Sequence, residues 1–427
     1  MKNKKIPYLN IIKFKREFYP ILISVLLFLT SNLLNAQNGL EKYLKIAAEN
    51  NPGLKAKFND YMATLQKVPQ VGTLPDPAIA FGYFILTPET RVGPQRFSLS
   101  LMQKLPWFGL LQTQEDAISQ LAKAKYAMFE QAKSQLFYEV RESYYRLYFI
   151  KRSKEILAEN VHLLSILKNY ALVKIESGQV SLADVYRLEM EINELDNQLS
   201  LLNDRENDLA VQFRELLNQT VTLEIPDSLL PEQPFDFTSW IDSIKVHFPM
   251  VRYYTEKAAY FLMQQKVAEK KGMPGITLGI SYINVGKTDN PMLDASENGK
   301  DIFMFPSVSI RLPVYRKKYT AMVEEAKLME ASQSFAKEEQ INRLEILFEK
   351  FTTDYEDASR RVVLYKKQKL LARKTLDILT ESYATATKGF DEVLAIERQL
   401  LKYQLEYEKA IVDQKIAWAF LQYLNGN

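Results

Sequence analysis

Residues 96–105, RFSLSLMQKL, alternate with period two and then stop at Pro106. From Leu110 the chain carries more than sixty residues of helical pattern without a proline. The same event recurs where FPSVSIRLPVYRK (305–317) leads into a second proline-free helical stretch. Two further segments repeat in step. LPDPAIAFGYFIL (74–86) matches MPGITLGISYINV (273–285), with Ile79, Phe81 and Tyr83 opposite Leu278, Ile280 and Tyr282. SLADVYRLE (181–189) matches GFDEVLAIE (389–397) at an offset of 208, with Val185 over Val393 and Glu189 over Glu397. The chain is therefore written twice, and any fold must place a strand pair between very long helices in each copy.

Each copy reads helix, strand, strand, long helix, turn, long helix. The first repeat spans 37–217, with strands over about 77–86 and 95–105 and helices over about 110–175 and 182–217. The second spans 241–427, with strands over about 275–284 and 305–312 and helices over about 318–385 and 391–424. The intervening 218–240 carries prolines but no Ser/Gly-rich tract, which fits a connector between two halves of one body. Only 14 Gly and 17 Pro occur in 427 residues, a balance that favours long helices. A helix over 110–175 is about 100 Å long. Its apolar residues (Leu136, Val140, Tyr144, Leu147, then Leu157, Val161, Leu164) form one seam between polar flanks, as in a coiled coil.

The N-terminus is basic, then apolar over ILISVLLFLTSNLL (21–34), then small at Ala36. This predicts a signal peptide over 1–36; the alternative is an uncleaved anchor helix. Those residues hold six Lys/Arg and one Glu, so the overall charge of +3 becomes −2 without them. The basicity therefore belongs to export and not to nucleic-acid binding. No other apolar run reaches the length of a membrane helix, so a membrane-spanning mature chain has to span with strands.

The strands suit that task. Phe97, Leu99, Leu101 and Leu105 share one face, with Ser98, Ser100, Met102 and Lys104 on the other. Val308, Ile310 and Leu312 oppose Ser307, Ser309 and Arg311. Strands between lipid and water alternate in this way. A soluble sheet packed on a core alternates too. The export signal and the number of strands move the balance, because four strands cannot close a barrel, whereas three chains supply twelve. The lumen-facing residues are then Ser98, Ser100, Ser307, Ser309 and Arg311. Trp107 and Phe108, where strand becomes helix, are placed either at the membrane interface or in packing beneath the sheet.

With its duplicated plan, the LPDP before the first strand, the QKLPWFG junction (103–109) and the GxxSLxDV turn (178–185), the chain resembles the TolC family of outer-membrane efflux ducts. PWFG is reminiscent of the heavy-metal branch that includes CzcC and CusC. The resemblance covers about residues 40–424. It implies a mainly α fold with a small β part: a homotrimeric twelve-stranded outer-membrane β-barrel continued by an α-helical periplasmic barrel. It also implies a periplasmic adaptor and an inner-membrane pump of the RND type as partners. The chain lacks Cys, so the N-terminal lipid anchor of some members is not expected here.

The family closes near its periplasmic helix tips, often with inward carboxylates. By position in that plan, Asp377 and Glu381, at i and i+4, become two acidic rings in a trimer, or else a solvated helix face. Tyr383 and Asp184 are placed to hold a closed state by hydrogen bonds between helices. The turns place Gly178, Ser181, Leu182, Gly389 and Phe390 to meet the adaptor, although turn chemistry alone also accounts for Gly and Ser there.

Enzyme signals are poor. SYINVGKT (281–288) lacks the first glycine of a phosphate-binding loop and leads into no helix. Two histidines, His162 and His247, far apart in sequence, make neither a triad nor a metal site, and no cofactor is expected. The expected function is passive export of small toxic solutes, metal cations or drugs, as the exit duct of a tripartite pump or type I secretion system. The alternative is a periplasmic coiled-coil adaptor, which would carry one helical hairpin where this chain has two.

Overall fold

The computed structural model describes residues 39–426 apart from 176–180, 221, 290, 291, 293 and 385–389. The expected signal segment, Gly178 and Gly389 lie outside the described residues. Three helices open the chain: α1 (39–50), α2 (Pro52–Leu65) and α3 (Lys67–Gly72). Strands β1 (Ala78–Tyr83), β2 (Glu89–Thr90) and β3 (Gly93–Leu105) precede α4 (Leu110–Ile175) and α5 (Leu182–Leu217). The second copy runs α6 (Trp240–His247), α7 (Pro249–Lys271), β4 (Gly275–Val285), β5 (Ile302–Arg311), α8 (Arg316–Ala384) and α9 (Phe390–Leu424).

The two copies are not two domains. One compact unit takes the residues up to Lys55, Ala132–Phe248 and those from Arg343 onward; the other takes Ala56–Gln131 and Pro249–Asn342. Each unit draws on both repeats, and neither is complete without residues from the other half of the sequence.

The sheet lies in the second unit. Its order is β1–β3–β4–β5, all antiparallel, with β2 added at the start of β3. The two hairpins are thus joined through β3 and β4, one strand from each copy. Two ends differ from the sequence-based expectation. β1 stops at Tyr83, leaving Ile85 and Leu86 beyond it. β5 begins at Ile302, because a register shift sets Gly279–Ser281 of β4 against Ser307–Met304 of β5. That extra residue changes the phase of β5, so the Phe303-Met304-Phe305 run does not read as period-two alternation although it is paired. At the start of β3, Gly93 has φ +129°, and a Cβ there would stand 1.9 Å from the Gly286 carbonyl oxygen. Only glycine fits that crossing of the two loops.

Helices flank the sheet in the same unit. Lys270 of α7 donates to the Gly109 carbonyl (3.0 Å) and to Thr113 Oγ1 (2.7 Å), tying the end of α7 to the first turn of α4. Arg252 pairs with Glu130 at 2.7 Å, and Phe58 meets Phe129 edge-on at 5.4 Å.

In the first unit, segments of α4, α5, α8 and α9 share one apolar cluster. Leu157, Leu164 and Ala171 step by seven along α4; Leu188 and Leu195 do so along α5, and Val393 and Leu400 along α9. That spacing keeps one stripe turned inward over many turns, which is why such long helices are stable here. The connector is bound to this bundle by named hydrogen bonds. Tyr43 of α1 accepts from the Glu224 backbone N–H at 2.8 Å, and Tyr148 of α4 accepts from the Leu229 N–H at 3.1 Å. Gln414 of α9 accepts from the Glu232 N–H at 2.8 Å and donates to Ser359 Oγ at 2.8 Å. Phe235, Phe237, Trp240, Tyr355 and Trp418 form an aromatic cluster with ring centroids 5.0–5.9 Å apart. The prolines of 218–240 thus belong to an ordered strap.

Candidate functional site

Two regions hold the residues that the sequence singles out, and each lies within one unit. The first is the sheet. Partners across antiparallel strands share a face, so the register sorts the side chains without ambiguity. Ile79, Leu101 and Ile280 form one row, and Phe81, Leu99, Tyr282 and Phe303 the next. Phe81 meets Phe97 at 6.0 Å, and Phe97 meets Tyr282 at 6.1 Å. Ile79, Phe81, Leu99, Leu101 and Phe303 are exposed in the single chain, Phe81 to 68% and Ile79 to 74%, while Phe97, Ile280 and Tyr282 are half-buried. The other face carries Ala80, Ser100 and Ser281 in one row, with Ala78, Met102, Gly279 and Ser307 in the next. Ser309 stands opposite Thr277, Arg311 opposite Gly275, and Ser98 opposite Gly82. A Cβ at Gly279 would come within 2.6 Å of Ser307 Oγ, so this face is kept small by steric need. β1 and β5 each pair on one side only, leaving two open edges.

Past the sheet, the loops are pinned to each other. Asp301 accepts from Tyr282 Oη, from Asn284 Nδ2 at 3.0 Å and from the Val285 N–H at 2.8 Å. Arg91 pairs with Glu297 at 2.9 Å. At the opposite end of the strands, Trp107 is half-buried and Phe108 is 81% exposed, with their rings edge-to-face at 6.0 Å.

The second region is the end of the four-helix bundle. Ser181 caps α5: its hydroxyl accepts from the Ala183 N–H (2.9 Å), and Asp184 accepts from the Ser181 N–H (3.2 Å). This reciprocal pair satisfies donors that a helix start leaves open. Arg187 donates to Asp184 (3.1 Å) and to Asp391 of α9 (2.7 Å), so it bridges two helix starts, where acidic side chains are favoured. Arg398 grips Glu191 at 2.5 and 2.8 Å, and Lys168 pairs with Glu189 at 3.2 Å.

Tyr383 is buried, its ring 5.8 Å from Phe390 and 5.1 Å from Lys174 Nζ. Burial first, then the charge of Asp184, pushes the Tyr383 hydroxyl above its usual pKa. Tyr383 and Asp184, each expected to bond between helices, are thus near neighbours electrostatically, but the expected bonds between helices are not seen among the described residues. Asp184 is used within α5 by the cap and by Arg187, and among the described residues the Tyr383 hydroxyl has no hydrogen-bond partner. A second expectation is corrected as well. Phe390 is not offered to a partner; it is 6% exposed and belongs to the bundle core. Leu182 does face outward. Asp377 and Glu381 are exposed on one face of α8, with Ile378 beside them, and Arg373 lies 3.7 Å from Asp377. His162 and His247 are both exposed.

Glu397 was not singled out by sequence except as the residue aligned with Glu189. It proves to be one of the few charged residues buried in the core. Among the described residues no group of three or more His, Asp or Glu could hold a metal ion, and no helix is long and apolar enough to cross a membrane.

No family model matches the chain, and no curated protein matches it by sequence. Solved structures do match. CusC superposes with a TM-score of 0.74 at 14% identity, covering 91% of this chain and 92% of that one. The outer membrane protein VceC of Vibrio cholerae gives 0.74 at 14%, covering 92% and 97%. The outer membrane channel MtrE of Neisseria gonorrhoeae gives 0.70 at 16%, covering 91% and 89%. The match runs nearly end to end on both sides, and it accounts together for the duplicated helices and the four-stranded sheet: this chain has the fold of the TolC-type outer-membrane channels.

Proposed function

We propose that the chain is the outer-membrane exit duct of a tripartite export system, working as a homotrimer. The sheet carries this reading. Its one face is mainly apolar, with Ile79, Phe81, Leu99 and Leu101 exposed in one chain, and its other carries Ala80, Ser98, Ser100, Ser281 and Ser307 beside Met102 and Met304, which suits a wall between hydrocarbon and water. Open edges on a four-stranded sheet invite pairing with further copies, and three copies give a closed twelve-stranded barrel. The bundle supports the same stoichiometry. Leu364, Leu371 and Ile378 step by seven along α8, and Leu182, Tyr186 and Met190 step by four along α5, all exposed in one chain. Neighbouring protomers would cover both stripes, as a/d-type seams require.

A duct needs no bond chemistry; it supplies a water-filled path and a closure. We place the closure at Asp377 and Glu381 on α8, and adaptor contact at Ser181 and Leu182. The partners in this reading are a periplasmic adaptor and an inner-membrane pump of the RND type. The cargo is a small toxic solute, metal cation or drug. CusC and VceC resemble the chain equally, so the fold itself favours neither cargo.

Purification in detergent tests the proposal: a trimer that conducts ions in planar bilayers is expected. A monomer that stays dissolved without detergent would sink it. Replacing Asp377 and Glu381 together by Ala is expected to weaken block by divalent cations severalfold, because six carboxylates leave the constriction of a trimer. Unchanged block would remove these two residues as the closure.

A further inference from the structure

Glu397 of α9 lies one turn from Val393, Leu394, Leu400 and Leu401, members of a core cluster that also takes in Leu188 of α5 and Leu376 of α8, and only 3% of its surface is exposed. Its Oε2 finds no hydrogen-bond partner among the described residues. A buried carboxylate without a partner is costly, and the usual escape is to take up a proton.

The internal repeat shows how this site arose. At the offset of 208 residues Glu397 corresponds to Glu189, and Leu376 corresponds to Lys168. In the first copy Lys168 and Glu189 form an ion pair at 3.2 Å on the bundle surface. In the second copy the lysine is replaced by buried Leu376, and the acid remains. One copy keeps a solvated ion pair, while the other keeps a lone acid in an apolar setting.

Resting on the duct reading above, we infer that Glu397 is a proton-binding site that couples the packing of the helix ends to pH: protonated, it holds the bundle packed; ionised, it loosens it. The charges around it do not supply a replacement partner. Arg373 of α8 acts on Glu397 but is itself shared with Asp377 at 3.7 Å. On α5, Glu191 is held by Arg398 of α9, and Glu189 by Lys168 of α4. Burial raises the Glu397 pKa, and Arg373 offsets only part of that.

The sign follows from linkage. The packed state binds the proton more tightly than an open state in which Glu397 meets water at its ordinary value of 4.5. The stabilisation is complete below that value and is lost as pH rises through the packed-state value. Between the two, each pH unit shifts the balance toward the loosened state by up to about tenfold.

Hydrogen exchange across residues 390–401 of the detergent-solubilised full chain reads this directly. The protection of Glu397→Gln relative to wild type is expected to grow with pH, by up to about tenfold per unit over the window, and Glu189→Gln is expected to show no such growth. Glu397→Leu, which puts an apolar side chain at the buried position, is expected to behave as Glu397→Gln does, and stands in for it should the amide fail to fold. A ratio that stays flat with pH in both variants overturns the inference. Conductance recorded on the same samples separates the two proposals: pH-dependent protection in a protein that never conducts would keep the proton site and sink the duct.

Discussion

Arginine in place of Leu101 is expected to abolish assembly in the outer membrane, whereas arginine at the adjacent Ser100 is expected to leave assembly intact and alter the current. The two residues are neighbours on β3 and differ in face. Leu101 stands between Ile79 and Ile280 in the middle of the apolar rows. A guanidinium there meets hydrocarbon, at a cost of about 2–4 kcal/mol near the bilayer midplane. A trimer carries that cost three times over, which is enough to exhaust the stability of an ordinary fold. Ser100 stands between Ala80 and Ser281 on the other face, which in the proposed barrel opens on water. Three guanidinium groups in the lumen should reject cations and raise relative anion conductance. Recovery in the membrane fraction, trimer retention on unheated gels and ion selectivity in planar bilayers measure the pair. Equal assembly of both variants would mean that the faces have been assigned the wrong way round, or that neither meets lipid.

That contrast is largely legible in the sequence itself. Period-two alternation assigns a face to every residue between Phe97 and Leu105, because side chains in a strand can point only two ways. The helical seam of α4 is equally plain: Leu157 and Leu164 stand out by spacing alone, and both are buried. What the sequence concealed depends on pairing. The phase change in β5 arises from a register shift against Gly279, and nothing in FMFPS shows it. At the helix ends, Phe390 looked presentable because it opens a helix after a turn, yet it packs on Tyr383. Glu397 looked like any surface acid. Its burial depends on which face of α9 turns into a core shared with α5 and α8, and one sequence cannot show that face. The division into units was hidden for the same reason. Repeats follow chain order, whereas contacts follow pairing of β3 with β4 and of α5 with α9.

Phe213→Ala is expected to cost the helical unit about 3–5 kcal/mol, the range for emptying a fully buried aromatic site. Phe213 of α5 has no exposed surface, and its ring meets Tyr43 of α1 edge-on at 5.1 Å. Tyr43 is in turn the residue that holds the start of the connector, accepting from the Glu224 N–H and donating to the Thr222 carbonyl at 3.3 Å. Removing the Phe213 ring therefore opens a cavity beneath the strap and frees the anchor of α1 at once. Tyr43→Phe separates these effects. It keeps the ring contact and loses only the hydroxyl, beside a surface segment where water can replace the lost partner, so about 1 kcal/mol is expected. Thermal loss of helical circular dichroism in detergent ranks the two, and proteolysis within 218–240 reports on the strap. If burial holds α1 to α5, Phe213→Ala melts first by a wide margin and is cut first. If the hydrogen bonds to the connector hold it, Tyr43→Phe falls just as far, and the strap, not the ring beneath it, is what binds the two copies of the repeat together.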